Sequence, residues 1–136
     1  MKKLLALLFV VIFASLSLVS CFFPNADKAE KLLEDEDYEV EDVDSDDIEY
    51  VLDMIDVKLP DCDEIITAWD EDDNQIIIFY CESSADAKDL EADFNDVLED
   101  EDLEDEVEDI FYTTPEVYRS GKAVCVGSKK AIKILK

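Results

Sequence analysis

Ile76-Ile77-Ile78-Phe79-Tyr80 is an unbroken run of β-branched and aromatic residues in a chain otherwise dense with carboxylates. Side chains alternate across a strand, so this run places large apolar groups on both faces of any sheet it joins. Ile65-Ile66-Thr67-Ala68-Trp69 precedes it across the polar turn Glu71-Asp72-Asp73-Asn74. The two runs read as a β-hairpin. With the turn centred on Asp72-Asp73, Trp69 pairs with Ile76, Thr67 with Ile78 and Ile65 with Tyr80. Ile66, Ala68, Ile77, Phe79 and Cys81 then lie on the opposite face, and both faces need cover.

Helical spacing flanks the hairpin. Ile48, Val51, Leu52 and Ile55 recur at i, i+3, i+4 and i+7 in a helix that Ser45 can cap, with Asp46, Asp47 and Glu49 favourable in its first turn and Lys58 and Pro60 ending it. Ser83 or Ser84 can cap a second helix bearing Ala87, Leu90, Phe94, Val97 and Leu98 on one stripe. Leu103, Val107 and Ile110 either prolong it or form a further short helix past a phase break near Glu101. Tyr38-Glu39-Val40 and Lys122-Ala123-Val124-Cys125-Val126 supply two more strands. The resulting order, β-α-β-β-α-β, is the split βαβ arrangement of ferredoxin-like folds, an α+β antiparallel sheet with two helices on one face. An additional helix is expected at each end, Asn25 capping Ala29, Leu32 and Leu33, and Ser128 capping Ala131, Ile132 and Leu135. These end helices are expected to cover the sheet's second face, which otherwise needs a partner or a second subunit. With Gly only at 121 and 127 and no internal repeat, no flexible linker marks a second domain.

Charge sets the surface and excludes several tasks. The chain carries 12 Lys+Arg against 38 Asp+Glu, with no histidine and a formal net charge of -26. A surface this negative repels polyphosphate backbones, so nucleic acid is no partner. The lack of histidine removes the commonest general base and the commonest metal ligand. Every acid lies between Asp27 and Glu116, whereas residues 117–136 hold Arg119, Lys122, Lys129, Lys130, Lys133 and Lys136 and no acid. Attraction between this basic end and the acidic body is the expected use of the segregation. Docking of the end on anionic lipid or on an acidic partner is the rival.

The opening residues have a separate role. Met1-Lys2-Lys3 gives a positive start, and the apolar run from Leu4 to Leu18 is shorter than the ~20 residues a membrane span needs. Such a segment reads as a secretion signal over residues 1–20. It ends in Leu18-Val19-Ser20-Cys21, which resembles the lipobox of bacterial lipoproteins, an aliphatic residue three before the cysteine and a small one just before it. An ordinary cleaved signal and an uncleaved anchor helix are the alternatives. The resemblance implies cleavage before Cys21, lipid on its thiol, a tether over 21–25 and a single acidic α+β domain over 26–136 on the extracytoplasmic face of the cell membrane. Each buried acyl methylene contributes ~0.8 kcal/mol, so two or more chains anchor durably. The stretch from Gly121 to Lys133, a strand ending in Val-Gly-Ser and then a helix, and the helix and Tyr-x-Val strand of 27–40, are similar to the ends of small uncharacterised lipoproteins and secreted proteins of Gram-positive type. That likeness implies a shared α+β domain and carries no activity with it.

With Cys21 assigned to lipid, Cys62, Cys81 and Cys125 remain, an odd number. In the register above Cys81 opposes Glu64 and Cys62 is its diagonal neighbour, so a Cys62–Cys81 disulfide and three small buried hydrophobes are both open readings. Carboxylates are too dense for a chosen spacing to identify an acid pair. Asp42-x-Asp44-x-Asp46 is the most calcium-like string, but it has Asp47 where an EF-hand needs glycine and Asp53 where it needs a longer bidentate acid. The hairpin tip, Asp70, Asp72, Asp73 and Asn74, can gather oxygens around a cation, although acidic turns are usually just solvated. Gly121 and Gly127 form no phosphate-binding loop. The expected function is a membrane-tethered, non-catalytic binding module with no cofactor and a preference for cationic peptides, proteins or divalent cations. The alternative is an extracytoplasmic hydrolase that uses carboxylates alone.

Overall fold

The computed structural model describes residues 23–112 and 114–136. In chain order these form α1 (Ala26–Asp35), β1 (Glu39–Asp42), α2 (Ser45–Asp53), β2 (Cys62–Trp69), β3 (Gln75–Cys81), α3 (Ser84–Glu99), a 3-10 turn (Glu101–Leu103), α4 (Glu104–Phe111), β4 (Glu116–Ser120), β5 (Ala123–Gly127) and α5 (Lys129–Leu135). Three of the expected caps form. Asn25 accepts a hydrogen bond from the Lys28 N–H, Ser83 from the Asp86 N–H and Ser128 from the Ala131 N–H, each satisfying a donor that the first helical turn leaves free. Ser45 is instead the first residue of α2, and Asp44 occupies the cap position without a side-chain bond.

The class is α+β with one antiparallel sheet, but the strand order is not the ferredoxin-like one. The order is β1-β2-β3-β5-β4, and every neighbouring pair is antiparallel. A split βαβ unit needs the strands on either side of a helix to run parallel with another strand between them. Here β1 and β2 flank α2 yet pair directly, Val40 opposite Ala68, because the turn after α2 returns the chain to the edge it left. The parallel mate comes from β4, a strand the sequence reading did not contain. β3 and β4 are both antiparallel to β5, which lies between them, so α3 and α4 make the one split crossover. The β4–β5 turn is Ser120-Gly121-Lys122-Ala123, with Gly121 at φ +59 as a two-residue hairpin loop of the II′ kind requires at its first central position.

The hairpin of β2 and β3 is paired one residue away from the expected register. Thr67 faces Ile77, Ile65 faces Phe79 and Trp69 faces Gln75. The cause is the Asp70 side chain. Its Oδ1 accepts from the N–H groups of Asp72 (3.0 Å) and Asn74 (2.9 Å), while its Oδ2 accepts from the Asn74 amide at 2.9 Å. These bonds hold 70–74 as the loop, with Asp73 at φ +64, and release Gln75 into the ladder. A slip of one moves every β2 side chain to the other face relative to β3.

Both faces are covered. On one, Ile65, Ile77, Phe79, Val124 and Val126 pack under α2, α3 and α4 through Leu52, Leu90, Phe94 and Val107. On the other, Ala68, Ile76, Ile78 and Cys125 pack under α1 and α5 through Ala29, Leu33, Ala131, Ile132 and Leu135. The end helices therefore cover the second face, as the two-sided Ile76–Tyr80 run demanded. Where α5 leaves β5, a Cβ on Gly127 would stand 2.3 Å from the Gln75 carbonyl oxygen, so only glycine permits the approach of β5 to β3.

Candidate functional site

Two ends of the sheet present chemistry. At one, Tyr80 on β3 donates from its hydroxyl to the Pro24 carbonyl at 3.0 Å, and the Phe23 ring stands 6.3 Å from the rings of both Tyr80 and Tyr118. Burial raises the Tyr80 phenol above its ordinary range and keeps it a donor. This latch fixes where the chain enters the domain. Cys21, the expected lipid-attachment residue, and the leader 1–20 lie outside the described residues.

At the other end, the hairpin tip meets the start of β1 and the first turn of α5. Glu36, Asp37, Tyr38, Asp70, Asp72 and Lys130 line an open cleft of about 660 Å³. Tyr38 is 4% exposed, and its buried hydroxyl has no hydrogen-bond partner. Burial first, then the negative charge of Asp70 and the close approach of its carboxylate to the hydroxyl, pushes the phenol up to about 12. It remains protonated, turned toward Asp70 without a well-formed hydrogen bond at the floor of an acidic cleft. Lys130 lies 3.8 Å from the Asp70 carboxylate while its side chain stays 64% exposed, so an ammonium already occupies part of this site loosely. Desolvation raises the Asp70 carboxyl, but the bonds from the Asn74 side chain and from the N–H groups of Asn74 and Asp72, with Lys130 beside it, outweigh that and hold it below the usual carboxylate range.

The other candidates are placed apart. Asp42 ends β1, Asp44 precedes α2 and Asp46 sits in its first turn, a helix start that disperses the calcium-like string. Of the hairpin tip, the Asp70 oxygens are engaged by loop donors. Among the described residues no group of three or more His, Cys, Asp or Glu is arranged to hold a metal ion. Glu30 on α1 is raised by burial, then by a hydrogen bond shared with the Asp42 carboxyl and by the charges of Asp42, Asp27 and Glu64. A second open cleft of about 630 Å³ has Asp61, Asp86, Asp89 and Asp93 around Leu59, Pro60 and Leu90. The basic end contributes few ion pairs. Besides Lys130, Arg119 meets Glu91 at 3.3 Å, and the Lys136 ammonium lies 4.6 Å from the centre of the Tyr118 ring.

Tyr38 and Lys130 were absent from the sequence-derived site. Their types carry no signal there, since Tyr38 reads as a strand residue and Lys130 as one of several tail charges. No helix among the described residues is long and apolar enough to cross a membrane. No protein-family model, curated protein or solved structure matches the chain.

Proposed function

We propose that the chain is a lipid-anchored module on the extracytoplasmic face of the membrane, processed at Cys21, which binds a cationic group of a partner in the Tyr38–Asp70 cleft and performs no catalysis. The observation that carries the reading is the Tyr38 hydroxyl, buried beside Asp70 without a well-formed hydrogen bond on the floor of an acid-lined cleft. An unpaired buried hydroxyl costs free energy that a ligand can relieve. An incoming ammonium or guanidinium can donate to the Tyr38 oxygen and to Asp72 or Glu36, and the loosely held Lys130 can give way to it. Membrane attachment is supported by the positive, apolar, lipobox-like start ending in Ser20-Cys21. The latch at Phe23 and Pro24 suits a tether entering at the Tyr80 end of β3. The cleft lies at the Gln75 end, roughly 17 Å away at the rise of an antiparallel strand. A partner would thus meet it on the side away from the lipid.

The test is calorimetric titration of the full chain in detergent with an oligolysine peptide, beside the mass of the first peptide from bacterial membranes. Binding should weaken at least tenfold in Asp72→Asn with Glu36→Gln. It should be unchanged in a control with two exposed acids of α4 neutralised, Asp105→Asn and Glu108→Gln. Equal losses in both variants mean a general charge effect and refute the cleft; an unmodified Cys21 or an uncleaved leader refutes the anchor.

A further inference from the structure

Cys62 and Cys81 stand opposite each other across β2 and β3, with their sulfurs 3.9 Å apart. Two local features place them there. The first is a bulge, since one step along β3 from Tyr80 to Cys81 matches two along β2 from Glu64 to Cys62, which leaves Asp63 as the extra residue. Without it Cys81 would oppose Asp63. A bulge re-aims a side chain in this way. The second is position in the ladder. The Glu82 N–H donates to the Asp61 carbonyl at 3.0 Å, so the next pair inward, Cys62 and Cys81, is a non-hydrogen-bonded one. In such a pair the Cα atoms approach to about 4.5 Å, within the roughly 4.4–6.8 Å that a disulfide spans. A side-chain rotation closes the remaining distance.

The two thiols differ in access. Cys81 is 1% exposed and lies in the core beside Phe79 and Leu90. Cys62 is half-buried and lines an open cleft of about 270 Å³ with Asp42, Asp44, Asp63 and Glu64 on its rim. Cys125 lies on the other face of the sheet, and burial pushes its thiol up to about 12.

From this geometry we infer that Cys62 and Cys81 form a two-electron redox site, oxidised by small disulfides that are neutral or positively charged. The Cys62 thiolate, its proton released to solvent, attacks one sulfur of R–S–S–R. That S–S bond breaks, and the leaving thiolate takes a proton to give the first RSH. Cys81 then loses its proton and attacks the Cys62 sulfur of the mixed disulfide, forming the Cys62–Cys81 bond and releasing the second thiol. The protein loses two electrons and two protons, and one external disulfide becomes two thiols. In the free dithiol the Cys62 thiol donates to the Cys81 sulfur, and that bond, with burial, holds Cys62 protonated above the usual thiol range, so the first attack should speed up as pH rises. The acidic rim repels an anionic oxidant and admits a cationic one.

The full chain in detergent is treated with cystamine, a dicationic disulfide, or with oxidised glutathione, which is anionic. Tryptic peptide 59–88 contains Cys62 and Cys81 and neither of the other cysteines. After cystamine it should be about 2 Da lighter, should resist alkylation, and should regain both on reduction. Cys125 should stay free. Cystamine should react at least tenfold faster than oxidised glutathione, with the gap shrinking in high salt. In Cys81→Ser a cysteamine adduct should accumulate on Cys62. Alkylatable Cys62 and Cys81 after treatment of the wild-type chain, or a bond from Cys62 to Cys21 or Cys125, would overturn the pairing. Equal rates for the two oxidants would overturn the assigned class.

Discussion

Ile132→Ala and Lys130→Ala, both on α5, separate two forces that could hold this helix to the sheet. Ile132 is 2% exposed, and with Ala131 and Leu135 it fills the second face over Ile76, Ile78 and Cys125. Truncating such a side chain costs about 2–5 kcal/mol, the lost transfer energy plus the cavity left behind. Lys130 meets Asp70 at 3.8 Å with its side chain 64% exposed, a geometry for which ion pairs contribute roughly 0–1 kcal/mol. Apolar burial should therefore exceed charge attraction severalfold, although the sequence segregates charge so strongly that attraction was the expected role of this end. Urea unfolding followed by the single tryptophan, Trp69, and by circular dichroism gives both values. The Lys130→Ala loss should fade in high salt and the Ile132→Ala loss should persist. Equal losses, or a salt-sensitive Ile132→Ala loss, would refute this ordering.

Gly127→Ala forces a carbon against the Gln75 carbonyl oxygen and the Ile76 backbone, so it should cost about 3 kcal/mol or more by thermal melt, at or beyond the usual upper range for overpacking. Tyr38→Phe should be neutral or stabilising in the free protein, since it deletes an unpaired buried hydroxyl; a loss of 1 kcal/mol or so would mean the hydroxyl already has a partner. Asp70→Ala and Glu30→Gln should show opposite signs when melts are compared across pH. The lowered pKa of Asp70 contributes stability above its unfolded pKa that is lost as pH falls through the folded value, so the Asp70→Ala loss should shrink in acid. The raised pKa of Glu30 is a cost at neutral pH that is relieved as pH falls through its folded value, so Glu30→Gln should stabilise at neutral pH and lose that advantage in acid.

What was legible in the sequence was what neighbouring residues decide. Asn25, Ser83 and Ser128 cap the helices they precede, and the two-sided run at Ile76 required cover that the end helices provide. The end of α3 was legible only as a choice, since the phase break near Glu101 left a longer helix and a second short one both open, and the chain forms the second. Glu99, Asp100 and Glu101 would load acid onto a helix C-terminus that has no basic residue in its last turn, whereas Glu104, Asp105 and Glu106 suit the N-terminus of a new helix. The register was not, because it depends on the Asp70 carboxylate folding back on three donors rather than on any apolar pattern. β4 was not, because Glu116-Val117-Tyr118-Arg119-Ser120 is a mixed edge strand made regular by pairing with β5. The cleft failed for a related reason, since Tyr38, Asp70 and Lys130 come from three distant parts of the chain.

Folding and binding place opposite demands on the same surface. No charged residue among those described is fully buried, so most of the carboxylates face solvent and repel one another. Among the described residues two ion pairs offset this, Arg119–Glu91 and Lys130–Asp70, both at least partly exposed. Screening should weaken a repulsion spread over many acids more than it weakens two attractions, so added sodium chloride should raise the melting temperature. The proposed cation binding should run the other way, weakening with salt because the screened acids are also the ligands. Calcium at matched ionic strength separates these terms. If it raises the melting temperature no further than sodium chloride does, the acidic surface acts on divalent ions by screening alone, and selectivity for a cationic partner has to come from the Tyr38 hydroxyl and the shape of its cleft.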